Sequence, residues 1–169
     1  MSQQVIINVG VSGAGKSTWS TAYIFTNYNV VRINRDAIRQ LYMGSLDGYY
    51  QRKDLNSLEK FVTETEELLF VRALGEEKSI IIDNTNLKPS YIEKWLQFVQ
   101  AWNEDLPEEK KVKVFFKLFP EDNAGILKKR VNVRDAPLGW DKLNYIDKQV
   151  SSLKSALAYV EDNYKDQIL

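Results

Sequence analysis

The chain has 169 residues, of which 44% are hydrophobic and 27% charged, and its 23 basic residues balance 23 acidic ones. These values are ordinary for a globular domain, and we expect residues 1–169 to form a single domain. The zero net charge argues against a protein that wraps nucleic acid. It says little about an enzyme that touches only a few phosphates at a chain end.

The sequence contains no cysteine and no histidine. Disulfides, thiolate metal sites and cysteine nucleophiles are therefore excluded, and a general base has to be a carboxylate, a lysine or a tyrosine. No apolar run reaches the length of a membrane span, and the N-terminus lacks the pattern of a signal peptide. We expect a cytoplasmic protein.

Apolar runs that are typical of strands alternate with helical patterns along the chain. We predict strands over residues 5–9, 30–34, 79–83 and 112–119, and helices over residues 16–27, 36–43, 54–74, 90–102, 121–133 and 141–163. The first three strands are nearly continuous apolar runs, which indicates burial on both faces. This order predicts an α/β fold, a parallel sheet of four to five strands with helices on both faces. In such sheets the ligand crevice lies at the carboxyl ends of the strands.

Two of the predicted helices carry further patterns. The helix over 54–74 has apolar residues at Leu55, Leu58, Phe61, Val62, Leu68 and Leu69, with Gly75 as its C-terminal stop. We expect its acidic residues Glu64, Glu66 and Glu67 to lie on a solvated face. In the helix over 90–102, Ser90 and Glu93 have the spacing of a capping box.

The stretch "GVSGAGKST", residues 10–18, follows the first predicted strand and has the spacing Gly-x4-Gly-Lys-Ser/Thr. Its glycines permit dihedrals and close approaches that let backbone N–H groups converge on phosphate oxygens at the positive end of the next helix. Lys16 would bind the β- and γ-phosphates and Ser17 would ligate Mg²⁺, so the pattern predicts a nucleoside triphosphate site. The residues that we expect to bind the nucleotide are Gly10, Ser12, Gly13, Ala14, Gly15, Lys16, Ser17 and Thr18.

Acidic residues follow two of the other predicted strands. Asp83 ends the third strand, where it would hold the water shell of Mg²⁺ together with Ser17, or would cap a turn. Asp36 lies in "INRDAIRQ", residues 33–40, and is either a helix N-cap, for which Asn34 would serve nearly as well, or a general base. Arg39 shares a helix face with Asp36, so it would pair with that carboxylate or grip an anionic acceptor.

Two more arginines, Arg130 and Arg134, lie four residues apart in "LKKRVNVRDAP", residues 127–137. They would project from one side of a helix. Such a pair either closes over a triphosphate to neutralise charge during phosphoryl transfer, or is solvated near a helix end.

The loop, extended to "GVSGAGKSTW", and the stretches "INRDAIRQ", "DNTNLKP" and "KKRVNVR" resemble the 5′-kinase domain of the bacteriophage polynucleotide kinase family. Their order and approximate spacing match from residue 5 to about residue 137. The resemblance implies a P-loop kinase with a helical lid that uses ATP and Mg²⁺ to phosphorylate the 5′-hydroxyl ends of DNA or RNA in nucleic acid end repair. It would act in the host cytoplasm if a phage encodes it.

The resemblance also implies roles for single residues. Asp36 would be the general base, Arg39 would contact the phosphate of the acceptor, and Arg134, with Arg130 behind it, would bind the ATP phosphates. Lys16 would share the catalytic role with these residues. The residues implied on the acceptor side are Arg35, Asp36, Arg39, Asp83, Asn84 and Thr85.

The chain departs from the family at two points. The family's phage member has an aspartate immediately before the Thr-Asn pair, where this chain has Asn84, and the acid lies one position earlier at Asp83. No Asp-x-Asp phosphatase motif follows the kinase stretches. We therefore expect phosphorylation of 5′ ends without removal of 3′-phosphates.

Two other functions remain open on the sequence. The same cradle would serve a kinase for a sugar, nucleoside or other small metabolite, and it would also serve an ATP-binding switch or adaptor that transfers nothing. Tyr49 and Tyr50 bear on the choice, because they would either stack on a base of a polymer acceptor or be partly buried loop aromatics.

Overall fold

The protein's structure, a computed structural model, describes residues 3–44, 46, 49, 52–134 and 143–169. Its strands are β1 (Gln4–Gly10), β2 (Val30–Ile33), β3 (Ser79–Ile82) and β4 (Lys113–Phe119). Its helices are α1 (Lys16–Thr26), α2 (Arg35–Met43), α3 (Leu55–Gly75), α4 (Pro89–Asn103), α5 (Ala124–Arg134) and α6 (Tyr145–Tyr164), with short 3₁₀ turns at Glu108–Lys110 and Lys165–Gln167. The predicted start of the last helix, residue 141, lies outside the described residues.

The four strands form one parallel sheet in the order β2-β3-β1-β4. Within it Val5 of β1 lies opposite Ile80 of β3 on one side and Val114 of β4 on the other. The loops that follow β1 and β3 meet at the carboxyl edge, where the Gly10 N–H donates to the Thr85 carbonyl at 3.0 Å. This arrangement confirms the predicted fold and places the loop over residues 10–18 beside the end of β3.

Helices cover both faces of the sheet. Because side chains alternate along a strand, Val5, Ile7 and Val9 of β1 point to one face and belong to the main core. That core includes Phe70 of α3 and Trp95 of α4, whose ring centroids are 4.9 Å apart. Asn8 points to the other face, where its side-chain amide donates to Ser20 of α1 at 2.9 Å.

Only part of the apolar pattern of α3 faces the core. Its buried residues are Val62, Glu66, Phe70, Ala73 and Leu74. Of the apolar residues in the sequence pattern, Phe61, Leu68 and Leu69 are exposed. Apolar residues occupy both sides of this helix, and tertiary packing selects the stripe at 62, 66, 70 and 73.

The starts of α4 and α5 differ from the predicted ones for reasons that the structure shows. Helix α4 begins at Pro89, with Lys88 at the N-cap and no side-chain cap. The capping box was therefore wrong: proline favours the first helical position, and Glu93 accepts a hydrogen bond from the Tyr159 hydroxyl at 3.0 Å instead. Helix α5 begins at Ala124 rather than at residue 121, because the Asn123 side chain accepts the Ile126 N–H at 3.1 Å. None of the helices in the described ranges has the length and apolar character to cross a membrane.

Candidate active site

The loop between β1 and α1 has the geometry of a phosphate cradle. Gly13 and Gly15 have φ values of +83° and +98°, a region that residues with a Cβ rarely adopt. Gly15 is the N-cap of α1, and a Cβ built there would meet no heavy atom within 4 Å. At Gly10 the constraint is close approach, since an added Cβ would lie 2.7 Å from the Cβ of Phe119. The loop therefore leaves open space above the N-terminus of α1.

Lys16, in the first turn of α1, lies at the centre of the site. Only 8% of the residue is exposed, and its ammonium donates to the Val11 carbonyl at 2.7 Å. Burial lowers the pKa of Lys16 to about 8; the negative charges of Asp83 and Asp36 oppose this effect, and the positive charge of Arg134 adds to it. Lys16 follows β1, Asp36 follows β2 and Asp83 follows β3, so all three lie at the carboxyl edge of the parallel sheet.

Asp83 follows β3 and is almost fully buried. One carboxylate oxygen accepts a hydrogen bond from Asn8 at 3.1 Å, and the other accepts one from Arg32 at 2.6 Å. Asp83 is therefore part of a hydrogen-bonded group between β1 and β2, rather than a cap of a turn. Arg32 is a partner that the sequence patterns did not identify.

Asp36 lies in the first turn of α2 and is not the cap of that helix. The N-cap is Asn34, whose side-chain oxygen accepts the Ala37 N–H at 2.9 Å. The Asp36 side chain is 51% exposed, and one of its oxygens accepts a hydrogen bond from Arg39 at 2.7 Å. Because Asn34 performs the capping role, the capping explanation for Asp36 was wrong.

Arg39 connects Asp36 to α3. In addition to its bond with Asp36, its guanidinium makes two parallel bonds to the Glu59 carboxylate, at 2.8 and 2.9 Å. Burial raises the pKa of Glu59, but hydrogen bonds from Arg39 and Arg35 outweigh that effect and lower it to about 2. The structure thus places Arg39 on Asp36 and Glu59, and its predicted contact with an acceptor phosphate stays a prediction.

Arg35 forms a second connection between α2 and α3. Its guanidinium donates to Glu66 at 2.9 Å, to Glu59 at 2.9 Å and to Thr63 at 3.1 Å. Its backbone N–H donates to the side chain of Asn84 at 3.0 Å, and the Asn84 amide in turn donates to Glu66. Arg35 and Asn84 were both expected on the acceptor side. The structure shows that they hold α2 in place, and a contact of either residue with substrate stays a prediction.

Glu66 does not lie on a solvated face, as was predicted, because only 2% of the residue is exposed. Its position four residues from both Val62 and Phe70 is visible in the sequence, but the sequence does not show which side of α3 is buried. A charged residue at helical spacing between apolar residues is buried only where partners compensate it. The partners here are Arg35, Asn84 and Lys94.

Helix α5 packs directly on the phosphate loop. Leu127 and Val131 are fully buried, and a Cβ on Gly13 would lie 2.9 Å from the Leu127 carbonyl oxygen and 3.1 Å from a Val131 methyl group. Arg130, one of the two predicted lid arginines, donates to the Gly13 carbonyl at 3.4 Å. Arg134 lies one turn farther along, within electrostatic range of Lys16.

Helix α6 provides a loop contact that the sequence patterns did not identify. The side-chain oxygen of Gln149 accepts the Ser12 N–H at 2.8 Å. Two residues earlier, Asp147 binds Lys128 of α5 at 2.6 Å. No sequence motif marks Gln149, so its contact with the phosphate loop is visible only in the structure.

Tyr49 is fully buried, and the Arg39 guanidinium lies 5.7 Å from the centre of its ring. It is therefore a buried loop aromatic and not a surface on which a base would stack. Tyr50, the second aromatic of that prediction, lies outside the described residues.

The residues present fit a magnesium nucleotide. The open cradle at Gly15, the uncapped N–H groups of α1 and the Lys16 ammonium suit a triphosphate. Within the described part of the chain, no three or more acidic side chains cluster in a way that would hold a metal ion. Mg²⁺ is commonly bound by one or two protein groups together with phosphates and water. Ser17 in the first turn of α1 and Asp83 directly after β3 are the residues that would serve.

Comparison with known proteins finds a family model and solved structures that are similar to this chain. Residues 5–137 match a family model described as an AAA domain. The chain is similar to a chain of the Pnkp1/Rnl/Hen1 RNA repair complex, with 26% identity and a TM-score of 0.72 over 93% of this chain and 46% of that one. A second structure of the Pnkp1/Rnl/Hen1 complex gives 26% identity and a TM-score of 0.56 over 75% and 39% of the two chains. This chain thus spans less than half the length of both.

A third structure supports the fold alone. Deoxyadenosine kinase from M. mycoides, with bound dATP, is 13% identical with a TM-score of 0.51, over 98% of this chain and 88% of that one. The architecture is therefore that of a P-loop kinase.

Proposed function

The chain belongs to the AAA domain family of P-loop proteins, and on that premise we propose that it transfers the γ-phosphate of ATP to the 5′-hydroxyl end of DNA or RNA. The P-loop kinase fold makes it a nucleotide-binding, kinase-like protein. The proposal adds the acceptor, the general base and the roles of single residues.

The observation that carries the proposal is the position of Asp36 relative to Lys16. Lys16 opens α1 directly after β1, and Asp36 lies in the first turn of α2 directly after β2, so both lie at the carboxyl edge of the parallel sheet. Lys16 is buried under the phosphate loop, whereas half of the Asp36 side chain is exposed. An acceptor hydroxyl that reaches Asp36 would therefore face a γ-phosphate bound at Lys16.

The reaction is an in-line displacement at the γ-phosphorus. The 5′-oxygen forms a bond to phosphorus as the bond to the bridging oxygen breaks, and ADP leaves. The hydroxyl proton passes to Asp36. Arg39 holds one oxygen of that carboxylate at 2.7 Å, and we assign the proton to the other. Orientation of a base in this way is a large part of what a kinase contributes.

The remaining residues would bind and neutralise the triphosphate. Lys16 and the N–H groups of the loop would hold the β- and γ-phosphates, and Arg130 and Arg134 would offset the charge that spreads over the transferred group. Mg²⁺, when bound, neutralises phosphate charge and orients the leaving group. Ser17 would be its protein ligand. Asp83, whose oxygens are engaged by Asn8 and Arg32, would act through water.

A polynucleotide acceptor is supported by two kinds of likeness. "INRDAIRQ" and "DNTNLKP" resemble the kinase domain of bacteriophage polynucleotide kinase over stretches that are not part of the shared phosphate loop. The chain is also 26% identical to part of a protein in an RNA repair complex. Thr85, whose carbonyl binds Gly10, would line the acceptor side with Asp36.

The experiment is an end-labelling assay with γ-labelled ATP and a panel of acceptors: 5′-hydroxyl DNA and RNA oligonucleotides, 3′-mononucleotides, free nucleosides and a simple sugar. We expect label on the oligonucleotides, with an acceptor KM that rises steeply with salt because the acceptor carries several phosphates. Transfer to nucleosides or sugar alone would overturn the polymer acceptor. ATP hydrolysis without transfer to any acceptor would overturn the kinase proposal.

A further inference from the structure

Glu66 is a carboxylate with no part in the proposed transfer, yet it is buried in the middle of α3. Its side chain is 2% exposed. A charge in this position is strongly unfavourable unless ion pairs and hydrogen bonds compensate it. The groups that Glu66 touches compensate for this burial.

The partners of Glu66 surround the start of α2. One oxygen accepts a hydrogen bond from the Asn84 amide, and the other binds the Arg35 guanidinium at 2.9 Å. The ammonium of Lys94 lies 3.5 Å from the latter oxygen. The Asn84 side chain has a second contact, because its oxygen accepts the backbone N–H of Arg35 at 3.0 Å. Arg35 is thus held at both its backbone and its guanidinium, and Asp36 is the next residue.

We propose that Glu66 is a positioning residue for Asp36. Through Arg35 and Asn84 it fixes the first turn of α2 against the end of β3, and so sets where the Asp36 carboxylate lies relative to Lys16. The inference rests on the proposed function only for its kinetic part.

The hydrogen-bond donors and acceptors of Glu66 and Asn84 predict how single and double substitutions at these two residues change their contacts. In Glu66→Gln one amide oxygen has to serve both Asn84 and Arg35, so a donor faces a donor. In Asn84→Asp two carboxylates face each other in direct contact. When the two changes are combined, the new amide at position 66 donates to the new carboxylate at position 84, and the amide oxygen accepts from Arg35. The carboxylate at position 84 still accepts the Arg35 N–H, so the exchange restores the hydrogen bonds among residues 35, 66 and 84 and the net charge, while Lys94 keeps its ion pair with Glu67.

The experiment is a double-mutant cycle on the full chain with Glu66→Gln, Asn84→Asp and both together. Substitutions at residues in direct contact do not have additive effects, and the cycle measures their coupling. We expect each single variant to lose about tenfold in kcat, and the combined variant to return to within about threefold of wild type. The KM for ATP stays unchanged in all of them, because the phosphate loop is not involved. Glu67→Gln is the matched control, since Glu67 pairs with Lys94 at 3.0 Å and is partly exposed.

The thermal midpoint of unfolding, Tm, is measured for the same proteins and tests the pairing without any activity. Recovery of Tm in the combined variant supports the pair even if wild type labels no acceptor, a result that overturns the proposed function alone. If Asn84→Asp does not fold, the comparison of Glu66→Gln with the combined variant still tests the positioning role. Wild-type kcat in Glu66→Gln, or a folded combined variant no better than Glu66→Gln, would overturn the positioning role. A fall in Tm without a change in kcat would do the same.

Discussion

Alanine substitutions at Gly13 and at Gly15 test two separate requirements of the phosphate loop. One is the packing of α5 against it, and the other is open space for a phosphate. Both positions have positive φ, +83° and +98°, so alanine costs about 1–2 kcal/mol of backbone strain at each. Only at Gly13 does the added Cβ also meet atoms of α5, at 2.9 Å from a backbone oxygen and 3.1 Å from a methyl group. Overpacking of this kind costs a further ~1–3 kcal/mol. Gly13→Ala should therefore be the less stable protein.

The assay is thermal unfolding of the two variants in parallel with titration of ATP. For a chain of this size each kcal/mol lowers Tm by about 2–4 °C. In Gly15→Ala the methyl group enters open space where a phosphate would bind, and loss of one hydrogen bond to a charged group costs about 1.5–3 kcal/mol. We expect near-native folding but at least about tenfold weaker ATP binding. Equal stability of the two variants would refute the packing of α5 on the loop, and full ATP affinity in Gly15→Ala would refute the cradle.

Two further predictions concern Gln149 and Lys16. Gln149→Met removes the acceptor of the Ser12 N–H, a hydrogen bond that contributes about 0.5–1.5 kcal/mol, so the Kd for ATP should rise roughly two- to tenfold. Gln97→Met, at an exposed position, is the control. An equal rise in Kd in both variants would contradict a contact specific to the loop. Burial lowers the pKa of Lys16 to about 8 from 10.5, so the unfolded chain binds more protons between these values and the free protein gains stability as pH rises from 8 to 10.5. Wild type should gain more than Lys16→Met in urea unfolding over that interval while its ATP affinity falls; parallel stability curves would contradict the buried cation.

The sheet and the phosphate loop were predictable because each is encoded locally. The runs before Gly10, Asn34 and Asp83 are apolar enough to mark buried strands, and parallel strands bring their carboxyl ends to one edge. Glycine spacing then fixed the cradle. The gathering of Lys16, Asp36 and Asp83 follows from these two facts alone.

The helix faces and the ion-pair network were not predictable in the same way. Helix α3 is apolar on two sides, so periodicity alone could not select the buried stripe that contains Glu66. The contacts of Gln149 with Ser12 and of Arg32 with Asp83 join residues far apart in the chain. Such pairs depend on tertiary packing, which leaves no local pattern.

The rate of phosphate transfer in a single turnover, measured on Asp36→Asn with bound ATP and a 5′-hydroxyl oligonucleotide, tests the role of Asp36 most directly. Asparagine keeps the shape of the side chain but cannot take the proton, and Asn34 still caps α2. The account predicts a rate lower by about 10²–10⁴, with ATP affinity unchanged and with wild-type rates in the exposed control Asp105→Asn. Transfer by Asp36→Asn at the wild-type rate would contradict it.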